Sequence, residues 1–163
     1  MRAKIALILI GMTAILSVGA ARAESYNLDL LYAVLSGTPP QYDNAEHWTL
    51  TTSLRIWMTK SGKPITVYLL SCYMNTGDND TRRHDQKVEL VSPSGEVVVT
   101  VTNPVELLAV QDKNKSFQRA YVVAKLDIPA MDTQDLKNFG MYTIKIYLDG
   151  DLIKKYPYPI LAR

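Results

Sequence analysis

Along much of the chain, apolar and polar residues alternate one by one. Val88 and Leu90 alternate with Lys87 and Glu89, and Val122, Ala124, Leu126 and Ile128 alternate with Tyr121, Val123, Lys125 and Asp127. Tyr142, Ile144, Ile146 and Leu148 alternate with Thr143, Lys145 and Tyr147, while Leu54, Ile56 and Met58 alternate with Ser53, Arg55, Trp57 and Thr59. A period of two sets each first group on one face of a pleated strand and the second on the other. β-branched and aromatic side chains dominate these runs, as a half-buried sheet requires. The pattern predicts strands over 27–35, 47–58, 65–74, 86–92, 96–102, 119–128, 141–148 and 151–160.

Compact turns separate the runs. Ser61-Gly62-Lys63-Pro64 and Ser92-Pro93-Ser94-Gly95 combine the positive φ of glycine with the fixed φ of proline. Asp149-Gly150 between two apolar runs is a hairpin signal, and Pro157 and Pro159 mark the closing strand as an edge. Such spacing reads as an all-β, antiparallel β-sandwich of about seven to eight strands. Two segments interrupt it. Asn75 to Asp85 is a polar loop with charges of both signs, expected to be solvated and mobile. Ala130 to Phe139 predicts a short helix capped by Asp132 or Thr133 and closed before Gly140.

The run from Gly140 through Tyr142, Ile144, Ile146 and Tyr147 to Asp149-Gly150, with the earlier His84 to Glu96, resembles the closing half of bacterial immunoglobulin-like sandwich domains. Several such domains end in a strand, an Asp-Gly hairpin and a final strand. The likeness spans Asp85 to Ile160. It implies an immunoglobulin-like sandwich and brings no catalytic residue with it.

The first residues carry a different message. Arg2 and Lys4 precede an uncharged apolar run from Ile5 to Val18, and Ala21-Arg22-Ala23 places small residues where a signal peptidase reads. The run is shorter than the roughly 20 residues of a spanning helix. Residues 1–23 are therefore expected to be a cleaved signal peptide and 24–163 a single β-sandwich domain, periplasmic or secreted, with no integral membrane segment after cleavage. The signal holds three of the 18 basic and none of the 16 acidic residues, which leaves 15 against 16, net −1. A near-neutral chain offers no nucleic-acid footprint and no polybasic membrane patch.

Candidate chemistry is sparse. Cys72 is the one cysteine, so an exported domain would fold without disulfides; its apolar run reads as a buried strand with the thiol facing the core. His47 and His84 lack any H-x-x-x-H spacing, and two exposed histidines near strand ends are expected. Asp78-Asn79-Asp80 lacks the glycine and distal glutamate of a calcium loop. No nucleophile elbow is present, no catalytic residue can be assigned and nothing calls for a cofactor or metal.

Aromatic residues remain. The chain has ten tyrosines and two tryptophans against two phenylalanines. Tyrosine and tryptophan suit partly exposed contact surfaces. Trp57, Trp48, Tyr42 and Tyr147 are the aromatic binding candidates, with Trp57 expected on the outer face of its strand. Arg82 and Arg83 are the strongest local positive charge, offset by Asp78, Asp80 and Asp85. These residues point to an exported, non-catalytic binding or interaction module of the bacterial envelope. A protein partner is favoured over a glycan, and the sequence sets no oligomeric state. The alternatives are a hydrolase with a loop-built site and a structural subunit assembled by strand addition, with Tyr26 to Leu35 as donor. N-terminal sequencing of exported material is expected to begin at Glu24 or within two residues of it; full-length protein retained in membranes would refute the signal assignment.

Overall fold

The computed structural model describes residues 28–42, 48–50, 56–58, 64–112, 115–132 and 138–162. These form β1 (Leu28–Ser36), β2 (Gln41–Tyr42), β3 (Trp48–Thr49), β4 (Ile56–Met58), β5 (Ile65–Asn75), β6 (His84–Val91), β7 (Val97–Val105), β8 (Leu108–Asp112), β9 (Lys115–Ile128), β10 (Gly140–Leu148) and β11 (Asp151–Ala162). One sheet has the order β1-β5-β9-β8 and the other β4-β11-β10-β6-β7, with β2 and β3 as a separate ribbon. The architecture is an antiparallel immunoglobulin-like β-sandwich, in which consecutive strands pair as hairpins or cross between the two sheets.

Alternation decides which residues meet between the sheets. Val67 and Leu69 of β5 stand opposite Leu126 and Ala124 of β9, and all four turn inward. From the second sheet, Val88 and Leu90 of β6 meet Ile146 and Ile144 of β10 in register. Tyr142 and Tyr158 pair across β10 and β11 and close the same core, with Ile160 beyond them. Tyr142 donates its hydroxyl proton to the Asn138 carbonyl at 2.7 Å, which satisfies the one polar atom that the ring carries inward. A second cluster of Leu28, Tyr73, Val105, Ala120, Val122 and Leu148 extends the core toward one end.

The Asp-Gly hairpin forms where the pattern puts it. Asp149 has φ 51° and Gly150 φ 96°, the consecutive positive values of a tight turn whose twist matches its strands. Gly140 has φ 137°, and a Cβ there would meet Pro93 Cγ at 3.4 Å, so the chain enters β10 against the preceding turn.

Other expectations change. β8 lacks alternation strong enough to be read from sequence, yet it pairs from Leu108↔Arg119 to Asp112↔Lys115 as the edge beside β9. The run 47–58 is described only as β3 and β4, and 51–55 lie outside the described residues. Among the described residues, β11 is an edge over most of its length, but Ile160, Leu161 and Ala162 pair in parallel with Ile56, Trp57 and Met58. The helix expected over 130–139 falls largely on 133–137, outside the described residues. No described helix is long and apolar enough to cross a membrane.

Leu126 is fully buried between the sheets. Leu126→Ala is expected to cost about 3 kcal/mol in urea unfolding, through lost burial and a residual cavity. Thr102→Ala, on the exposed face of β7, should stay within about 0.5 kcal/mol.

Candidate functional site

Among the described residues, one group of polar side chains lies at an end of the sandwich and one group of aromatic side chains on an outer face. At the end, the connection from β5 to β6 crosses from one sheet to the other. Asn75 Nδ2 donates to Gln118 Oε1 at 2.7 Å and to the Asp78 carbonyl at 2.9 Å. The Asp80 amide donates to the same Gln118 oxygen at 2.7 Å, and Gln118 Nε2 returns a bond to the Asp80 carbonyl at 2.9 Å. The loop expected to be mobile is therefore stitched to the buried ends of β5 and β9.

His84 completes this cap. It is 1% exposed, against the expectation of a solvent-facing histidine, because even alternation along β6 turns His84, Gln86, Val88 and Leu90 to the inner face. Its Nδ1 lies 2.5 Å from Asp149 Oδ2 and its Nε2 lies 3.0 Å from Asp80 Oδ2. Asp149 Oδ1 also accepts the Asp85 amide at 2.8 Å, so the hairpin aspartate braces the start of β6. Arg82 Nη2 reaches Asp80 Oδ2 at 2.7 Å. That guanidinium, followed by the Arg82 amide and His84, holds the Asp80 carboxyl well below the usual carboxylate range against the opposing effect of burial. With both ring nitrogens occupied by carboxylates, His84 offers neither to a substrate.

The second group covers the outer face of the β1-β5-β9-β8 sheet. Tyr32, Cys72 and Tyr121 form one cross-strand row, with Cys72 in the middle. The β2–β3 ribbon pairs Tyr42 with Trp48 and lays both on this row. Ring centroids are 5.1 Å apart for Tyr42–Trp48, 5.3 Å for Trp48–Tyr121 and 6.4 Å for Tyr42–Tyr121, all tilted. Arg119 Nη1 donates to the Tyr121 hydroxyl at 3.2 Å, and its guanidinium carbon lies 5.1 Å from the Phe117 ring centroid. Tyr42 remains 54% exposed. Cys72 is buried as expected, but beneath these rings and on the face opposite the sandwich core. Parity along β5 sets it there, since its neighbour Tyr73 takes the inward position. Burial raises the thiol pKa, and burial first, then the neighbouring Cys72 and Tyr121, raises that of Tyr32.

The structure brings together two of the sequence candidates, Tyr42 and Trp48, and places Tyr147, Arg82 and Arg83 away from them. Tyr147 lies on the outer face of the opposite sheet, where Lys87 Nζ sits 4.1 Å over its ring and its hydroxyl donates to Glu89 Oε2 at 2.8 Å. Arg82 and Arg83 are at the end cap, Arg83 3.7 Å from Asp85 Oδ1. Trp57 pairs through its backbone with Leu161, and its side chain and His47 lie outside the described residues. No group of three metal-binding side chains is found among the described residues. Tyr121, Arg119 and Phe117 were missed, although their signal is legible. They hold the outward parity of a strand whose inward parity is apolar.

Fold and surface define an all-β sandwich domain with an aromatic patch on one outer face. The chain belongs to DUF6941, a family of unknown function whose profile matches residues 60–161. Tyr121, Arg119 and Cys72 fall within that span, whereas Tyr32, Tyr42 and Trp48 precede it. Among solved structures, a glycosyl hydrolase family 2 (GH2) member from Bacteroides cellulosilyticus is similar at 15% identity with a TM-score of 0.41. The match covers 67% of this chain and 16% of that one. No curated protein matches the chain.

The end cap makes stability sensitive to acid. The folded pKa of Asp80 is depressed, so its contribution is present above the unfolded value near ~3.9 and is lost as pH falls through the folded value. Urea midpoints measured from about pH 6 to pH 2 should fall more steeply for the wild type than for Asp80→Asn, which lacks the titrating carboxyl. Parallel curves would show that Asp80 gains nothing from Arg82 and His84.

Proposed function

We propose that this protein is an exported, non-catalytic binding module of the bacterial envelope, periplasmic or secreted, and that it holds a protein partner on the Tyr42–Trp48–Tyr121 face. The observation that carries the reading is the joining of two half-built surfaces. A strand row of Tyr32 and Tyr121 and a separate ribbon bearing Tyr42 and Trp48 converge on one outer face while leaving Tyr42 exposed. Rigid aromatic rings bury large area at small entropic cost, and interface anchors are enriched in tyrosine, tryptophan and arginine. Arg119, held against Tyr121 and Phe117, supplies the third of these residue types.

Among the described residues, the histidine and the cysteine are both engaged in structure. His84 is clamped between carboxylates and Cys72 is buried under the aromatic row. The strand order supports kinship with bacterial immunoglobulin-like domains, which matches the resemblance of Asp85 to Ile160. Sequence features of residues 1–23 support export.

Tyr42→Ala is expected to weaken capture of partner from envelope extract by about tenfold or more, as truncation of an anchoring aromatic does. Its unfolding midpoint should barely move, because more than half of the ring is already in water. Unchanged capture would refute this face as the binding surface.

A further inference from the structure

The two edge strands on one side of the sandwich, β1 and β11, each carry a bulge. In β1 the register with β5 shifts between Leu30 and Tyr32, which leaves Leu31 without an opposite residue. In β11 the register with β10 shifts at Tyr147, which pairs with Leu152 while Ile146 pairs with Lys154, so Ile153 is the extra residue. A bulge re-aims a side chain that regular alternation would send elsewhere. Here two bulges in different sheets present Leu31 and Ile153 to the same groove of ≈ 310 Å³. Leu28, Leu30 and Tyr156 complete its apolar lining. Leu31 is 46% and Ile153 37% exposed. Isolated exposed apolar residues need no explanation, but Leu31 and Ile153, brought by bulges in two different sheets to one groove, do.

We infer that this groove is a second interaction surface, built to take an extended apolar segment of a partner protein between the edges of the two sheets. An extended occupant follows from the walls. Along Leu28–Ser36 of β1 and, ahead of the two prolines that cannot donate, Asp151–Tyr156 of β11, the edge away from the paired neighbour meets no other strand among the described residues. Such an edge offers amides and carbonyls to an incoming strand, whose side chains then fill pockets at alternate positions. Apolar character follows from Leu31, Ile153 and the lining beneath them. Asp29 and Lys154 add one charge of each sign to the lining, which favours a segment with a basic residue at one end and an acidic residue at the other. This surface is distinct from the aromatic face, so either can fail without the other.

The probe is the synthetic peptide Lys-Thr-Val-Thr-Ile-Thr-Glu, which alternates as a strand and carries both charges. Titrated into the full protein and followed by amide chemical shifts, it should perturb Leu30, Leu31, Ile153 and Lys154 saturably. Leu31→Asp and Ile153→Asp should each weaken it by about tenfold or more. Both variants should keep the wild-type thermal midpoint, because both residues are exposed. A peptide with the same composition and its apolar residues in one block should bind more weakly. The proposal is overturned if the alternating peptide fails to bind at millimolar concentration, if its shifts map to Tyr42 and Tyr121, if the block peptide binds equally well, or if sedimentation shows the groove closed by a second copy of the chain.

Discussion

Face-to-face burial of two alternating sheets is the constraint on which the remaining features depend. Val67, Leu69, Ala124 and Leu126 of one sheet close against Val88, Leu90, Ile144 and Ile146 of the other, with no disulfide between them. Because strand side chains alternate, the same constraint fixes what the outer faces carry. Once Tyr73 and Ala120 turn inward, Cys72 and Tyr121 must turn outward. The aromatic row is in this sense a consequence of the core, and the β2–β3 ribbon adds Tyr42 and Trp48 to a platform already set.

A sandwich also has ends, where strands stop and backbone and side-chain polar groups would be exposed or stranded. Here the end is sealed by Asn75, Gln118, His84, Asp80 and Asp149, contributed by both sheets, the β5–β6 connection and the Asp-Gly hairpin. Buried polar groups are stabilising only when their partners are present, so removing one member leaves the others to bear desolvation. The double use of Asp149 shows this economy of parts. Its backbone makes the turn and its carboxylate anchors the Asp85 amide and His84.

Most of the sandwich was legible because burial acts on residue parity, which is written directly in the chain. Val122, Ala124, Leu126 and Ile128 face the core as the alternation predicts, and so do Tyr142, Ile144, Ile146 and Leu148. β8 was not legible, since an edge strand with exposed Leu108 buries too little to leave a pattern. The site was legible in part. Tyr42 and Trp48 were candidates from residue type, but their meeting with Tyr121 spans more than seventy positions of sequence and rests on tertiary pairing. His84 was misjudged because its burial depends on two carboxylates, Asp80 four residues before it and Asp149 from a distant hairpin, that no local spacing reveals.

The central claim is that the outer aromatic face of the β1-β5-β9-β8 sheet is occupied in the protein's native setting. Hydroxyl-radical footprinting with mass spectrometry tests it most directly, by comparing ring oxidation in intact envelopes with that of purified protein in buffer. Tyr42, Trp48 and Tyr121 should be protected in the envelope, while Tyr147, against Lys87 on the opposite face, is oxidised equally in both. Equal oxidation of Tyr42 and Tyr121 in the two settings would contradict the account.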